Sequence, residues 1–256
     1  MPRCMPSTFF LLFVVSTELA ALAAEAPSVS LSVELNQARY YLNEPLVLTA
    51  TFTNLSGQNI EGHFCASPWC ELATVSYRRR PAGFRPYQRP LLKRTFEGRE
   101  GTIFVDSWTQ LKTLKPGATL QARFSIALDA HTGAAVLAAP GKHDFLLRYE
   151  DIFNGDTIRL TSNTVQVQVL PPPAHEHAAL SDYGELLSFI QGSFAPPNGM
   201  APIEAFLEKH GTSLYARHVR NAALRHLLGK IRSATATRAD RALYHRLKEQ
   251  AGRGGP

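Results

Sequence analysis

The sequence predicts a mainly β protein, an antiparallel β-sandwich over residues 27–170 followed by a small α-helical C-terminal region over residues 179–250. Three observations carry this reading. Apolar and polar residues alternate repeatedly, as in Val165, Val167 and Val169 against Gln166 and Gln168, and period two with one apolar face is what a half-buried antiparallel strand requires. Pro116-Gly117 and Pro140-Gly141 each open such a run; Pro pre-sets φ and Gly accepts positive φ, so the pair favours a tight turn. After Pro171-Pro172-Pro173 the apolar spacing lengthens to three and four residues, the period of a helix with one buried face.

Residues 1–24 read as an export signal. Arg3 supplies a positive start, Phe9–Val15 an apolar stretch, and Ala21-Leu22-Ala23 or Ala24-Glu25-Ala26 a small-x-small cleavage pattern. The apolar stretch is short for a membrane span and Glu18 interrupts it; an uncleaved anchor is the alternative reading. Later segments include none long and apolar enough to span a bilayer, so the mature chain is expected in the periplasm or outside the cell. It retains Cys65 and Cys70, which in an oxidising compartment read as one disulfide closing a small loop. His63 lies two residues before Cys65, but a structural zinc site takes four ligands and the remaining ones are not evident.

The strands follow in order. Val29, Leu31, Val33 and Leu35 alternate with Ser30, Ser32 and Glu34; Asn43-Glu44-Pro45 then turns the chain into Leu46, Leu48, Ala50 and Phe52. Glu71–Tyr77 alternates again, Thr102–Val105 and Ser107-Trp108 continue the sheet with Trp108 as a core anchor, and Leu120–Leu128 and His143–Tyr149 follow the two Pro-Gly turns. Glu150 to Asp156 contains Asn154-Gly155, a favoured hairpin pair. Its Glu150, Asp151, Asn154 and Asp156 are also oxygen donors of the kind calcium prefers, but their spacing does not match the twelve-residue calcium loop.

Arg39-Tyr40-Tyr41-Leu42-Asn43-Glu44-Pro45-Leu46, followed by Phe52-Thr53-Asn54, resembles the start of exported bacterial immunoglobulin-like sandwiches. These include macroglobulin-type domains and the BsuPI-type proteinase-inhibitor domain. Leu114-Lys115-Pro116-Gly117 and Pro140-Gly141-Lys142-His143 are similar to turns of the same group. The resemblance covers residues 28 to 170 and implies an immunoglobulin-like fold. It brings no catalytic motif, and the insertion from Cys65 to Gly101 departs from the compact versions.

Within that insertion, residues 78–94 hold seven basic residues and no acid. Pro81, Pro86 and Pro90 argue for a long loop. Arg78, Arg79, Arg80, Arg85 and Arg89, with Phe84 and Tyr87 among them, form a candidate partner-binding loop, since guanidinium pairs with anions and stacks on rings. The alternative is a solvated loop whose arginines meet nearby carboxylates.

Residues 171–178 read as a stiff Pro-rich linker. His175-Glu176-His177 lacks the His-Glu-x-x-His spacing that places two rings on one helical face. Leu180, Tyr183, Leu187 and Ile190 fit one helix, and Pro202 opens a second that ends at Gly211. Ser213 caps a third, with Val219, Ala223 and Leu227 inward, Arg217, Arg220 and Arg225 outward, and Gly229 as its stop. Arg238 to Gln250 forms the fourth, and residues 251–256 a disordered tail.

The formal charge of +6 is uneven. Residues 201–256 hold eleven Lys or Arg against four Asp or Glu, so the remainder is close to neutral. The sequence shows no nucleophile elbow, phosphate-binding glycine loop, zincin motif or Cys-x-x-Cys pair. It therefore predicts an exported module without catalytic residues, metal or cofactor, contacting a protein or an anionic cell-envelope partner through sandwich loops and a basic helical tail. Nucleic acid is disfavoured as a partner. The alternative is a proteinase inhibitor that presents Pro68-Trp69 within the Cys65–Cys70 loop.

Overall fold

The computed structural model describes residues 28–65, 72–87, 93–96, 99–102, 111–129, 132–192 and 199–253. The predicted export signal, the Pro68-Trp69 segment, Cys70, Arg89, Trp108 and the last three residues lie outside them. In chain order the strands are β1 (Val29–Leu35), β2 (Arg39–Tyr41), β3 (Leu46–Asn54), β4 (Ile60–Gly62), β5 (Ala73–Arg79), β6 (Arg85–Pro86), β7 (Lys93–Phe96) and β8 (Arg99–Thr102). They continue with β9 (Lys112–Leu114), β10 (Thr119–Ile126), β11 (Leu128–Asp129), β12 (Ala134–Ala135), β13 (Gly141–Phe153), β14 (Asp156–Thr161) and β15 (Val165–Leu170). A 3-10 turn at Ala174–Glu176 leads into α1 (His177–Gly184), α2 (Leu187–Ile190), α3 (Ala201–His210), α4 (Ala216–Arg232) and α5 (Arg238–Arg253).

One sheet is antiparallel with order β1-β3-β10. Its middle strand shows why the alternation was informative: Leu46, Leu48, Ala50 and Phe52 are buried while Val47, Thr49, Thr51 and Thr53 between them are half-exposed. The other sheet runs β2-β15-β13-β5-β6. Its long central strand β13 pairs with β15 over its first part and with β14 over its second, with β5 along the opposite edge. Phe145, Leu147 and Tyr149 of β13 point into the space between the sheets, where Tyr149 meets Phe52 edge to face at 4.8 Å between ring centres. Gly62 is fixed by this packing, because an added Cβ would come within 2.4 Å of the Phe153 ring. Asn154 and Gly155 both take positive φ and turn β13 into β14, as an Asn-Gly hairpin does.

Several local expectations are corrected. The arginine-rich stretch is not wholly loop: β5 extends through Arg79, and Arg85–Pro86 pairs back onto Ser76 and Tyr77. Pro86 is tolerated because β6 is an edge strand, where a missing N–H breaks no ladder bond. Leu180 and Ile190 belong to separate helices, α1 and α2, rather than one. Gly229 does not stop α4, which runs to Arg232. Glycine in a helix interior costs about 1 kcal/mol, and packing of α4 against α3 and α5 offsets it; the reversal comes at Ala234, with φ of 58°.

The helices enclose a second core. Tyr183, Ile190, Ile203, Phe206, Tyr215, Val219, Leu227, Leu243 and Leu247 are buried together, joined by Ala127 and Ala135 from the sandwich side. The 171–178 segment is correspondingly not a free linker: Pro172 and Glu176 are buried, and a Glu176 carboxylate oxygen accepts from the Leu214 N–H at 3.2 Å. Among the described residues no helix is long and apolar enough to cross a membrane.

Candidate functional site

The predicted binding loop is drawn inward by a carboxylate. Asp144, on β13 opposite Arg78, is fully buried. Its Oδ2 accepts from Arg78 Nε and Arg80 Nε, each at 2.8 Å, and its Oδ1 accepts from Gln166 Nε2 at 3.2 Å. Burial alone would raise its carboxyl, but donation by Arg80, Gln166 and Arg78 outweighs it and holds the group at about 2. Arg78 also covers the Phe84 ring at 4.4 Å, and Arg85 covers Tyr77 at 4.6 Å. Tyr87 is an anchor: its ring is buried and its hydroxyl donates to the Leu128 carbonyl at 3.0 Å. Arg79 is exposed at the end of β5. The structure thus gathers these residues, but it uses Arg78, Arg80, Arg85 and Tyr87 largely to fasten the β5–β6 hairpin to the sheet. Arg89 lies outside the described residues.

Of the oxygen donors of the β13–β14 turn, Glu150, Asp151 and Asn154 are likewise engaged, while Asp156 is exposed. Glu150 pairs with Arg159 at 2.8 Å, and Asn154 Oδ1 accepts from the Glu61 N–H at 2.9 Å. Asp151 accepts from His63 Nδ1 at 2.8 Å, from the His63 N–H and from the Tyr149 hydroxyl at 2.7 Å. The Tyr149 oxygen in turn accepts from the Cys65 N–H at 3.2 Å. Burial works against ionisation of Asp151, but these donors prevail and lower its pKa. This network holds the chain after β4 in place, including Phe64 with φ of 47°. Cys65 is buried, and its predicted partner Cys70 lies outside the described residues. Among the described residues no group of three or more His, Cys, Asp or Glu is placed to hold a metal ion.

The feature sequence reading missed is a cleft of about 590 Å³ between the two units. The sandwich contributes Gln37, Arg39, Tyr41 and Glu44; the helical unit contributes Thr212, Ser213, Arg217 and Arg220. Glu44 is its fixed point. Asn43, with φ of 63°, swings the turn after β2 so that the Glu44 carboxylate reaches back to accept from the Tyr41 N–H at 2.7 Å. The same carboxylate, only 2% exposed, accepts from Arg217 at 2.9 Å and His218 Nε2 at 3.0 Å. Burial would raise its pKa, but the bonds from His218, Tyr41 and Arg217 overcome this and lower it.

The position has a second physical cause. The first turn of α4 has no acidic residue and no side-chain cap, so the partial positive charge of its N-terminus is not answered within the helix. Glu44 answers it from the sandwich. The Tyr215 hydroxyl donates to the Leu42 carbonyl at 2.9 Å beside it. At another point Gln191 fastens α2 to the sandwich, its Oε1 accepting from the Leu128 N–H at 3.2 Å and its Nε2 donating to the Ser125 carbonyl at 3.3 Å. The helical unit is clasped to the sandwich by hydrogen bonds at both places. Of the three arginines expected to face outward, Arg217 is engaged across the fold on Glu44, while Arg225 donates to the Ile190 carbonyl at 3.1 Å and Arg220 to the Gly211 carbonyl at 3.4 Å within the helical unit.

Among the described residues three guanidinium groups and one carboxylate line the cleft, a formal surplus of positive charge. Guanidinium stays protonated and cannot serve as a general base. Glu44 is held ionised by three donors, which makes it a weak base. The arrangement is suited to hold charge rather than to move protons.

No family model and no curated protein matches the sequence. Among solved structures, the chain is similar to a β-glucosidase from Erythrobacter marinus at 12% identity and a TM-score of 0.30, over 56% of this chain and 15% of that one. It is similar to the sporulation control protein Spo0M from Bacillus subtilis at 16% identity and a TM-score of 0.30, over 63% of this chain and 56% of that one. A CARDB domain from Pyrococcus furiosus aligns at 9% identity and a TM-score of 0.28, over 57% of this chain and 96% of that one.

Proposed function

We propose that the chain is an exported, non-catalytic binding module that receives a protein or anionic envelope partner in the cleft between its sandwich and its helical unit. The observation that carries this is the composition of the cleft: a sandwich turn and a basic helix, distant in sequence, meet around a cavity of about 590 Å³ with more cationic than anionic side chains. Clefts of roughly 300–1,000 Å³ are the usual size for holding a ligand or an anchoring group of a partner. Export rests on the signal-like residues 1–24, and the Cys65–Cys70 disulfide belongs to the same proposal. The immunoglobulin-like resemblance supports a rigid scaffold with loops at its ends. The arginine hairpin is the second surface to compare, because Arg79 stands exposed beside the engaged Arg78 and Arg80.

Thr212 is exposed and lines the cleft, so Thr212→Trp fills the cavity without entering a core. The mature protein and this variant, matched for thermal stability, are used to capture partners from native envelope extract at low and raised salt. A salt-sensitive partner retained by the wild type and lost by Thr212→Trp is expected. Equal capture by both, with loss only when Arg78, Arg79, Arg80, Arg85 and Arg89 are changed to Ala, places recognition on the hairpin and refutes the cleft.

A further inference from the structure

The cleft has more donors than its own acceptors can use. Glu44, its one carboxylate among the described residues, is spent on Arg217, His218 and the Tyr41 N–H. Arg39 is exposed and lines the cleft, and its guanidinium has no hydrogen-bond or ion-pair partner among the described residues. Arg220 lines it from the opposite wall. Its only acceptor among the described residues is the Gly211 carbonyl at 3.4 Å, and its Nε is buried without a partner. An arginine carries five N–H donors, so these two guanidiniums bring ten donors and, between them, one long contact. Buried donors are ordinarily satisfied. The buried Arg220 Nε is therefore the group that calls for an acceptor from outside the chain, and the exposed Arg39 guanidinium faces the same cavity with its donors available to it.

The edge strand narrows what that acceptor is. β2 borders its sheet and would offer a backbone edge for an added strand. Glu44 occupies that edge at Tyr41: its carboxylate takes the Tyr41 N–H and its own N–H donates to the Tyr41 carbonyl at 3.2 Å. A ligand is left to side-chain recognition. Guanidinium matches planar or tetrahedral oxyanions through paired N–H bonds, and within the cleft Arg217 already holds a carboxylate, that of Glu44, through one N–H bond at 2.9 Å.

We infer that the cleft is an oxyanion site, in which Arg39 and Arg220 grip the carboxylate or phosphate of a small organic anion, with Arg217 held back by Glu44. This rests on the cleft being the binding face and specifies the chemistry taken there. The anionic group either belongs to a free metabolite or ends a larger partner, and both present the same oxygens.

The test is calorimetric titration of the full mature chain with inorganic phosphate, with citrate and with glycerol as the uncharged control. The expected result is binding of phosphate or citrate, weakening as salt is raised, and no binding of glycerol; which anion binds separates phosphate from carboxylate chemistry. Losing one guanidinium is expected to weaken binding tenfold or more, as for charge-assisted hydrogen bonds worth about 1.5–3 kcal/mol. Arg39→Ala tests this without touching a structural contact, Arg220→Lys keeps charge and packing while losing the paired geometry, and Arg79→Ala on the hairpin leaves affinity unchanged. Wild type binding neither anion, or Arg39→Ala and Arg220→Lys both binding as tightly as wild type, overturns the inference. If the anions fail while Thr212→Trp still abolishes partner capture, only the oxyanion assignment falls. If the anions bind through Arg39 while Thr212→Trp captures as well as wild type, the oxyanion site stands and the partner lies elsewhere.

Discussion

Removing the Glu44 carboxylate is expected to loosen the helical unit from the sandwich before it unfolds either. The size of the effect follows from its three bonds. The Tyr41 N–H, bound at 2.7 Å, is a backbone donor left without its acceptor, a loss of about 1 kcal/mol. His218 is 17% exposed and its contact at 3.0 Å is mostly shielded, for which about 1–2 kcal/mol is appropriate. Arg217 is 58% exposed, so solvent screening reduces its share to about 0.5 kcal/mol. Glu44→Ala should therefore cost about 3 kcal/mol, and Glu44→Gln less, since an amide oxygen still accepts. For a chain of this length that is a fall in Tm of about 6–12 °C. Helical and aromatic circular dichroism followed through urea unfolding read the change, with Glu150→Ala as the control. The Glu150–Arg159 pair is exposed on both sides and its loss should leave the midpoint unchanged. A Glu44→Ala midpoint that coincides with the Glu150→Ala midpoint would refute the clasp.

Other outcomes follow from the same contacts. Asp144→Asn should destabilise by about 1–3 kcal/mol by removing a buried charge-assisted acceptor, and it should make the 78–86 hairpin more sensitive to protease. Because Asp144 is depressed from 3.8 to about 2 in the folded protein, its stabilisation is complete above pH 3.8 and is lost as pH falls toward 2; denaturation midpoints between pH 5 and pH 2 should fall accordingly, and Asp144→Asn should flatten that fall. Glu44 has the same sign, with stabilisation present above its ordinary value of 4.5 and lost below it, so acid should release the helical unit early. Thr237 and Asp240 form a reciprocal cap on α5, the Asp240 N–H donating to the Thr237 hydroxyl and the Thr237 N–H to the Asp240 carboxylate. Thr237→Ala should cost about 1 kcal/mol, read by chemical denaturation.

The sandwich strands were legible because alternation needs no knowledge of the partner strand. Leu46, Leu48, Ala50 and Phe52 bury whichever neighbours β3 finds, and the Pro-Gly and Asn-Gly turns carry their own backbone requirement. β2 was not legible, being three residues long and parallel to β15, far along the chain. Composition marked the arginine loop, yet it did not reveal Asp144, which lies opposite Arg78 on β13 and accepts from Arg78 and Arg80. Gly229 read as a helix stop because local propensity favours one there, and packing by α3 and α5 carried the helix past it. Thr237-x-x-Asp240 was a visible capping signal that went unread. Glu44 looked like a turn residue, which it is. Its role as the clasp depends on a helix 173 positions away and on the absence of an acid in that helix's first turn. A juxtaposition of that kind leaves no periodic trace, so the cleft emerged only with the fold.

Hydrogen-exchange protection on the captured partner complex tests the binding face most directly. Slowed exchange is expected in residues 37–44 and 211–220 together, with the 78–87 hairpin unchanged. Protection confined to the hairpin, with both cleft segments exchanging as in the free protein, would contradict it.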